Sequence, residues 1–245
     1  MYSKHLIVCT FRSGSTIVAT LLEQATGIED LGEYVFNGPN KVVSLMKYTY
    51  TPYSKDLLEF ERLRKERIEY LKHKESWIAR NPVVAGGTNK ELIDFCVDKE
   101  DTQLIFVYRR NMINQYLSDV NNAYRSFLNK GPKNKFYNNE AVEKIESIDI
   151  PQTKLKDWAF STLQKVETWR FLYEQYKDKC KLVCYEDHIE TLKLDHVGIT
   201  QDVVRNYYNK EQHLVKTPHI CKNFKHDNIQ NYVDFFESYK YITDL

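Results

Sequence analysis

Apolar residues in this chain follow two rhythms. Four short runs, residues 5–10, 77–80, 103–108 and 181–185, are apolar at nearly every position. A strand that hides both faces reads this way, because a parallel sheet is covered on each side. Between these runs apolar residues recur every three or four positions, as on one face of a helix. Ile17, Leu21, Leu22 and Ala25 form such a stripe, and Gly27 is placed to end it. Residues 54–75 are highly charged, with Leu57, Phe60, Leu63, Arg64, Ile68 and Leu71 along one side, and predict a surface helix that packs one face. Residues 112–128 and 153–178 predict longer helices. Ile229, Tyr232, Phe235, Phe236 and Tyr239 give the stretch from Asn228 to Tyr241 the same period. Strands alternating with helices predict an α/β fold, with a central parallel sheet of about four to five strands and helices on both faces.

Length and composition narrow this picture. The chain has 245 residues, no internal repeat and no low-complexity linker, so residues 1–245 read as one domain with a sizeable core. The 35 Lys plus Arg balance 34 Asp plus Glu, a net charge of +1, which argues against a dedicated nucleic-acid binder. The 18 tyrosines carry no functional weight. Of the cysteines at 9, 96, 180, 184 and 221, the first four lie in or beside apolar segments, as reduced buried thiols do. Cys180 and Cys184 lack the spacing of a zinc or redox pair. No apolar run reaches membrane-spanning length, and Met1 leads almost directly into the first strand, so the expectation is a cytoplasmic protein without a membrane role. The basic, turn-rich segment 129–139 reads as a surface loop able to act as a lid.

Chemistry enters at Phe11-Arg12-Ser13-Gly14-Ser15-Thr16, between the first run and the first helical stripe. A loop of small residues here turns backbone N–H groups toward a helix N-terminus, a geometry that binds phosphate-like anions. The fold expectation therefore becomes P-loop-like. A nucleotide-hydrolysing loop reads G-x-x-x-x-G-K-[ST]. This loop instead has one glycine, an arginine before it, and hydroxyls on both sides.

A second motif follows the third strand. Leu104 to Tyr108 run into Arg109-Arg110-Asn111, and Ser118 lies eight residues after Arg110 along a predicted helix. An arginine at the carboxyl end of a strand faces the crevice where α/β sheets bind ligands. Its planar fork suits phosphate, and Ser118 two turns on could close on the same anion. A structural ion pair for one of the two arginines is the competing reading. A third element, Leu182 to Cys184 and then Tyr185-Glu186-Asp187, is an apolar strand followed by two acids.

The order and spacing of the three elements, spanning residues 6–187, resemble the sulfotransferase family that uses 3′-phosphoadenosine-5′-phosphosulfate. The resemblance implies that Arg12, Ser13, Gly14, Ser15 and Thr16 cradle the 5′-phosphosulfate. It implies that Arg110 and Ser118 hold the 3′-phosphate, and that Tyr185-Glu186-Asp187 is structural. The arrangement R-S-G-S-T, then Thr26-Gly27, then Glu33-Tyr34 is closest in style to the bacterial, trehalose sulfotransferase-like branch. Met112 and Asn114 stand where the family commonly has Pro and Asp, and no glycine-rich C-terminal segment is recognisable. Lys222 and Lys225 are candidates for covering the nucleotide, or are solvated charges.

Sulfuryl transfer needs a neutralised leaving phosphate, an in-line acceptor and a base for the acceptor proton. The Arg12 guanidinium and the loop N–H groups fit the first need, so no metal is required. The seven scattered histidines also offer no metal cluster. The resemblance points to Glu33, in Gly32-Glu33-Tyr34, as the base, since a carboxylate in a water-poor cleft becomes a stronger one. Taken from the residues alone, with Glu29 and Asp30 close by, Glu33 reads rather as an exposed loop acid. Arg80 either contacts the sulfuryl oxygens or makes a surface ion pair.

The expected activity is therefore transfer of a sulfuryl group to a hydroxyl, less readily an amine, of a small molecule or carbohydrate. Segments 33–55, 80–90 and 125–140 would line the acceptor site, with Tyr48, Tyr50, Tyr53, Phe136 and Tyr137 as aromatic candidates. The alternative is a P-loop kinase of nucleotides or small molecules, against which stand the missing loop lysine and the lack of a clear magnesium-binding Asp. A third reading is a nucleotide-binding module without catalysis.

Overall fold

Each of the four apolar runs forms a strand, and all four lie in one parallel sheet. The computed structural model describes residues 2–37, 54–83, 90–118, 152–210 and 229–245. The strands are β1 (Lys4–Cys9), β2 (Trp77–Pro82), β3 (Thr102–Tyr108) and β4 (Lys181–Cys184), in the order β2-β1-β3-β4. Every neighbouring pair runs parallel, with Cys9 opposite Pro82 on one side and Val107 on the other. Pro82 fits because it is the last residue of its strand, where its missing N–H costs least.

The helices are α1 (Ser15–Thr26), α2 (Tyr34–Asn37), α3 (Ser54–His73), α4 (Lys90–Val97), α5 (residues 112–118), α6 (Gln152–Tyr176), α7 (Gln201–Lys210) and α8 (Ile229–Ser238). They cover both faces, as the doubly apolar strands require. On one face Leu6, Val8, Ala79, Leu104 and Phe106 pack with Ile68 and Leu71 of α3, Leu92 and Ile93 of α4, and Trp169 and Leu172 of α6. On the other, Ile7, Ile78, Ile105, Val107 and Val183 pack with Val18, Leu21 and Leu22 of α1 and with Val204 and Tyr207 of α7. Each fully buried Leu, Ile or Val contributes about 1.5–3 kcal/mol of transfer free energy. A third cluster lies away from the sheet, where Met112 and Tyr116 of α5 meet Ala159, Leu163 and Val166 of α6 and Phe236 of α8.

Two features refine the sequence reading. Helix α3 ends at His73 and α6 at Tyr176, each two residues short of its expected end. The segment 29–32 also lies along the outer edge of β2 as a rudimentary fifth strand. Ile78 N–H donates to Glu29 O (3.0 Å), Leu31 N–H to Ile78 O (2.9 Å) and Arg80 N–H to Gly32 O (2.8 Å). This pairing covers an otherwise open sheet edge and delivers residue 33 to the carboxyl ends of the strands. Because β1 is flanked by β2 and β3, the chain leaves β1 toward one side and later strands add on the other. The crevice between the ends of β1 and β3 is thus the topological switch point.

The expected loop 129–139, the aromatic candidates Tyr48, Tyr50, Tyr53, Phe136 and Tyr137, and Lys222 and Lys225 lie outside the described residues. Cys9, Cys96 and Cys184 are buried free thiols and Cys180 is half-buried. No described helix is long and apolar enough to cross a membrane.

Candidate anion-binding site

The loop between β1 and α1 is wound by two residues in the left-handed region, Arg12 (φ 63°) and Gly14 (φ 87°). Alternation of this kind curls successive backbone N–H groups toward one point. A non-glycine residue such as Arg12 holds that conformation at a cost of about 1–3 kcal/mol, so its surroundings must enforce it. They do. Ser13, fully buried, donates its hydroxyl to Thr10 O at 2.7 Å, and Gln115 of α5 donates Nε2–H to Phe11 O at 2.9 Å. Gly14 caps α1, its carbonyl accepting from Ile17 and Val18 N–H. A Cβ there would stand 2.6 Å from Ile189 Cδ1 and 2.8 Å from Tyr185 Cδ2, so only glycine fits.

Three guanidinium groups surround this loop. Arg12 Nε donates to Ser118 Oγ at 2.9 Å, tying the loop to the end of the described part of α5. Arg80, from the carboxyl end of β2, donates Nη1–H to Thr16 Oγ1 at 2.8 Å, with Nη2 3.8 Å from Asp30 Oδ2. Burial raises the pKa of Asp30, while Arg80 opposes that shift. Arg109, beyond β3, lays its guanidinium over the Tyr185 ring, with Cζ 4.5 Å from the centroid.

Arg110 faces elsewhere. Its guanidinium is hydrogen-bonded to Asp187, and both side chains are about half exposed. The ion pair lowers the Asp187 pKa. Its backbone is gripped on both sides: Glu186 accepts from the N–H groups of Arg110 (2.9 Å) and Asn111 (3.1 Å), and Thr243 Oγ1 lies 3.0 Å from Arg110 O. The structure therefore brings Ser118 to Arg12, not to Arg110, whose guanidinium is engaged by Asp187. The segment Tyr185–Ile189 is one wide turn, closed by Glu190 N–H to Tyr185 O at 2.9 Å. Wide turns of this kind are often placed at functional sites. His188 steadies this turn by accepting Cys184 N–H at Nδ1 (2.9 Å).

Glu33 is half-buried at the end of the 29–32 segment, next in sequence to Gly32, whose carbonyl holds Arg80 N–H. Its charge is felt at Cys9. The Cys9 thiol is pushed up to about 12, chiefly by burial, with Glu33 raising it further and Ser15 and Arg80 opposing. Cys9 is therefore an inert thiol on the floor of the site rather than a nucleophile.

The polar atoms left without partners point to the same place. Among the described residues, five buried side-chain N or O atoms have no hydrogen-bond partner: His5 Nε2, Thr10 Oγ1, Arg80 Nε, Arg109 Nε and Gln115 Oε1. All but His5 lie around the loop at the carboxyl edge of the sheet. Orphaned buried polar atoms are costly and rare, and three of these four are donors. The arrangement fits an anion with several acceptor oxygens. Among the described residues no group of three or more His, Cys, Asp or Glu is placed to hold a metal ion.

Sequence reasoning singled out the loop, Arg80, Arg110 and Ser118, but it missed Gln115, Thr243 and the place of Arg109 over Tyr185. The adjacent pair Arg109-Arg110 was the available signal. Alternation along β3 puts Val107 on the α1 face and so directs Arg109 there too.

No protein-family profile matches this chain, and no curated protein matches it in sequence. Among solved structures, the shikimate kinase of Aquifex aeolicus VF5 is similar over 79% of this chain and 99% of its own, at 16% identity and a TM-score of 0.38. The sulfotransferase domain of the Synechococcus PCC 7002 olefin synthase is similar over 96% of this chain and 95% of its own, at 11% identity and a TM-score of 0.46.

Proposed function

We propose that the protein transfers a sulfuryl group from 3′-phosphoadenosine-5′-phosphosulfate to a hydroxyl of a small molecule or carbohydrate. The observation that best supports this reading is the hydrogen bond from Arg12 to Ser118. It joins the loop after β1 to the helix after β3, so a ligand with anionic groups at both ends of a nucleoside can span the two. Adenosine triphosphate carries no 3′-phosphate and makes no use of the second end. The loop has no lysine where a nucleotide-hydrolysing loop carries one.

In this reading the N–H groups of residues 13–16 and the Arg12 guanidinium receive the 5′-phosphosulfate, and the dipole of α1 favours the charge that grows on the leaving phosphate. The Ser15 and Thr16 hydroxyls add hydrogen bonds, Thr16 already being oriented by Arg80. Arg110 and Ser118 take the 3′-phosphate. Arg110 exchanges Asp187 for it, an exchange that costs little because exposed ion pairs contribute about 0–1 kcal/mol. Glu33 removes the acceptor proton, held at the cleft by the pairing of residues 29–32 with β2.

Thermal unfolding with added nucleotide tests the reading. 3′,5′-Adenosine bisphosphate at about 100 times its dissociation constant should stabilise the protein by about 2.7 kcal/mol, and ATP at the same concentration by much less. Equal stabilisation by both would move the assignment to a kinase.

A further inference from the structure

The buried arginine Arg109 has no place in the scheme above. Its side chain is only 9% exposed, yet its buried Nε makes no hydrogen bond. The nearest carboxylate oxygen, Glu186 Oε1, is 3.7 Å from Nε, and Glu186 already accepts two backbone N–H groups. A buried guanidinium nitrogen without a hydrogen-bond acceptor is costly, and ion–ion attraction at 3.7 Å replaces only part of the lost hydration. Its Cζ sits 4.5 Å over the centre of the Tyr185 ring, and that ring stands against Gly14 of the loop. Arg109 shares the α1 side of the sheet with the loop, whereas Arg110, one residue on, turns away to Asp187. Two independent features thus coincide: a helix N-terminus wound for an anion, and a largely buried guanidinium, its Nε without a hydrogen bond, set on the aromatic ring that stands against the loop.

We propose that Arg109 is a ligand-binding residue that contacts the anionic group seated on residues 12–16. The chemical class it recognises is a phosphoryl or sulfated phosphoryl group with several acceptor oxygens. This rests on the reading of the loop given under Proposed function, and it divides the arginine pair. Arg109 serves the group on the loop and Arg110 serves the distal phosphate.

The test measures affinity by calorimetry for two probes, inorganic pyrophosphate and 3′,5′-adenosine bisphosphate. Binding is measured well below the unfolding midpoint of each variant, so that every chain is folded. Arg109→Met keeps an unbranched apolar stem against Tyr185 and removes the charge. It should weaken both probes about tenfold or more, the loss expected for a charge-assisted contact. Arg109→Lys should recover part of that loss for pyrophosphate, since it restores charge without the fork. Arg110→Met should leave pyrophosphate within about threefold of wild type and reduce only the extra affinity of the bisphosphate. If Arg109→Met binds pyrophosphate as tightly as wild type, the proposal is overturned. If the wild type binds pyrophosphate but gains nothing from the nucleotide, the sulfuryl-donor reading fails while the pyrophosphate comparison still decides Arg109. A wild type that binds neither probe overturns both.

Discussion

Gly14 gives the sharpest structural prediction, because its two constraints can be separated. Its φ of 87° places any L side chain in the left-handed region, at about 1–2 kcal/mol. Gly198 has nearly the same φ of 89°, but a Cβ there would meet nothing within 4 Å. Gly198→Ala therefore measures backbone strain alone. At Gly14 the added carbon also lands 2.6 Å from Ile189 Cδ1 and 2.8 Å from Tyr185 Cδ2. Neither neighbour has room to yield, since Ile189 is buried and the Tyr185 ring is covered by Arg109. Overpacking of this kind costs about 1–3 kcal/mol more. Gly14→Ala should then be destabilised by about 2–5 kcal/mol, against about 1–2 kcal/mol for Gly198→Ala. In a chain of this size each kcal/mol moves the thermal midpoint by about 2–4 °C. Adding Ile189→Val removes the nearest atom, so the double variant should recover part of the excess even though Ile→Val alone costs about 0.5–1.5 kcal/mol. Thermal and urea unfolding of the four variants measure these differences. Equal midpoints for Gly14→Ala and Gly198→Ala would refute the close packing of Tyr185 and Ile189 on the loop.

The remaining predictions concern the site and the response to acid. Glu33→Gln should bind 3′,5′-adenosine bisphosphate as wild type does and lose turnover by about 100-fold or more; steady-state assay with calorimetry checks this, and an active variant removes Glu33 as the base. Ser118→Ala deprives Arg12 Nε of its acceptor and should weaken the bisphosphate more than 5′-AMP, read by competition binding; equal losses would separate Ser118 from the distal phosphate. Burial lowers the pKa of His5, and burial with the neighbouring His196 lowers that of His188. The unfolded chain therefore holds more protons near pH 6, so stability is full above about pH 6.5 and falls as pH drops further. His5→Asn should flatten that decline in urea titrations between pH 7.5 and 5, and an unchanged slope would remove His5 as a cause.

The strands were readable because a sheet covered on both sides demands nearly continuous apolar runs, and Leu6–Val8 and Leu104–Val107 have no other economical reading. Gly27 ended α1 as expected, its φ of 72° being one glycine adopts freely. The loop was legible through its residue types. Three features were not. The 29–32 strand is short and acidic, and it pairs only because the edge of β2 offers free backbone groups. Thr243 reaches Arg110 O through the packing of α8 on α5, which no local pattern announces. The opposite orientations of Arg109, over Tyr185, and Arg110, on Asp187, depend on which face of the sheet each meets, and on Asp187 being delivered by a wide turn that propensity does not foresee.

The double grip on the peptide at Arg110 has a consequence for how the molecule is made. Its N–H side is held from a position 76 residues later and its carbonyl from one 133 residues later, while Arg12 waits 106 residues for Ser118. Contacts this distant add loop-closure entropy and slow folding. During synthesis at about 5–20 residues per second, the sheet-end arginines emerge many seconds before Thr243. A nascent chain can pair β1 with β3 early, but it cannot complete the grip on Arg110 until residue 243 has left the ribosome.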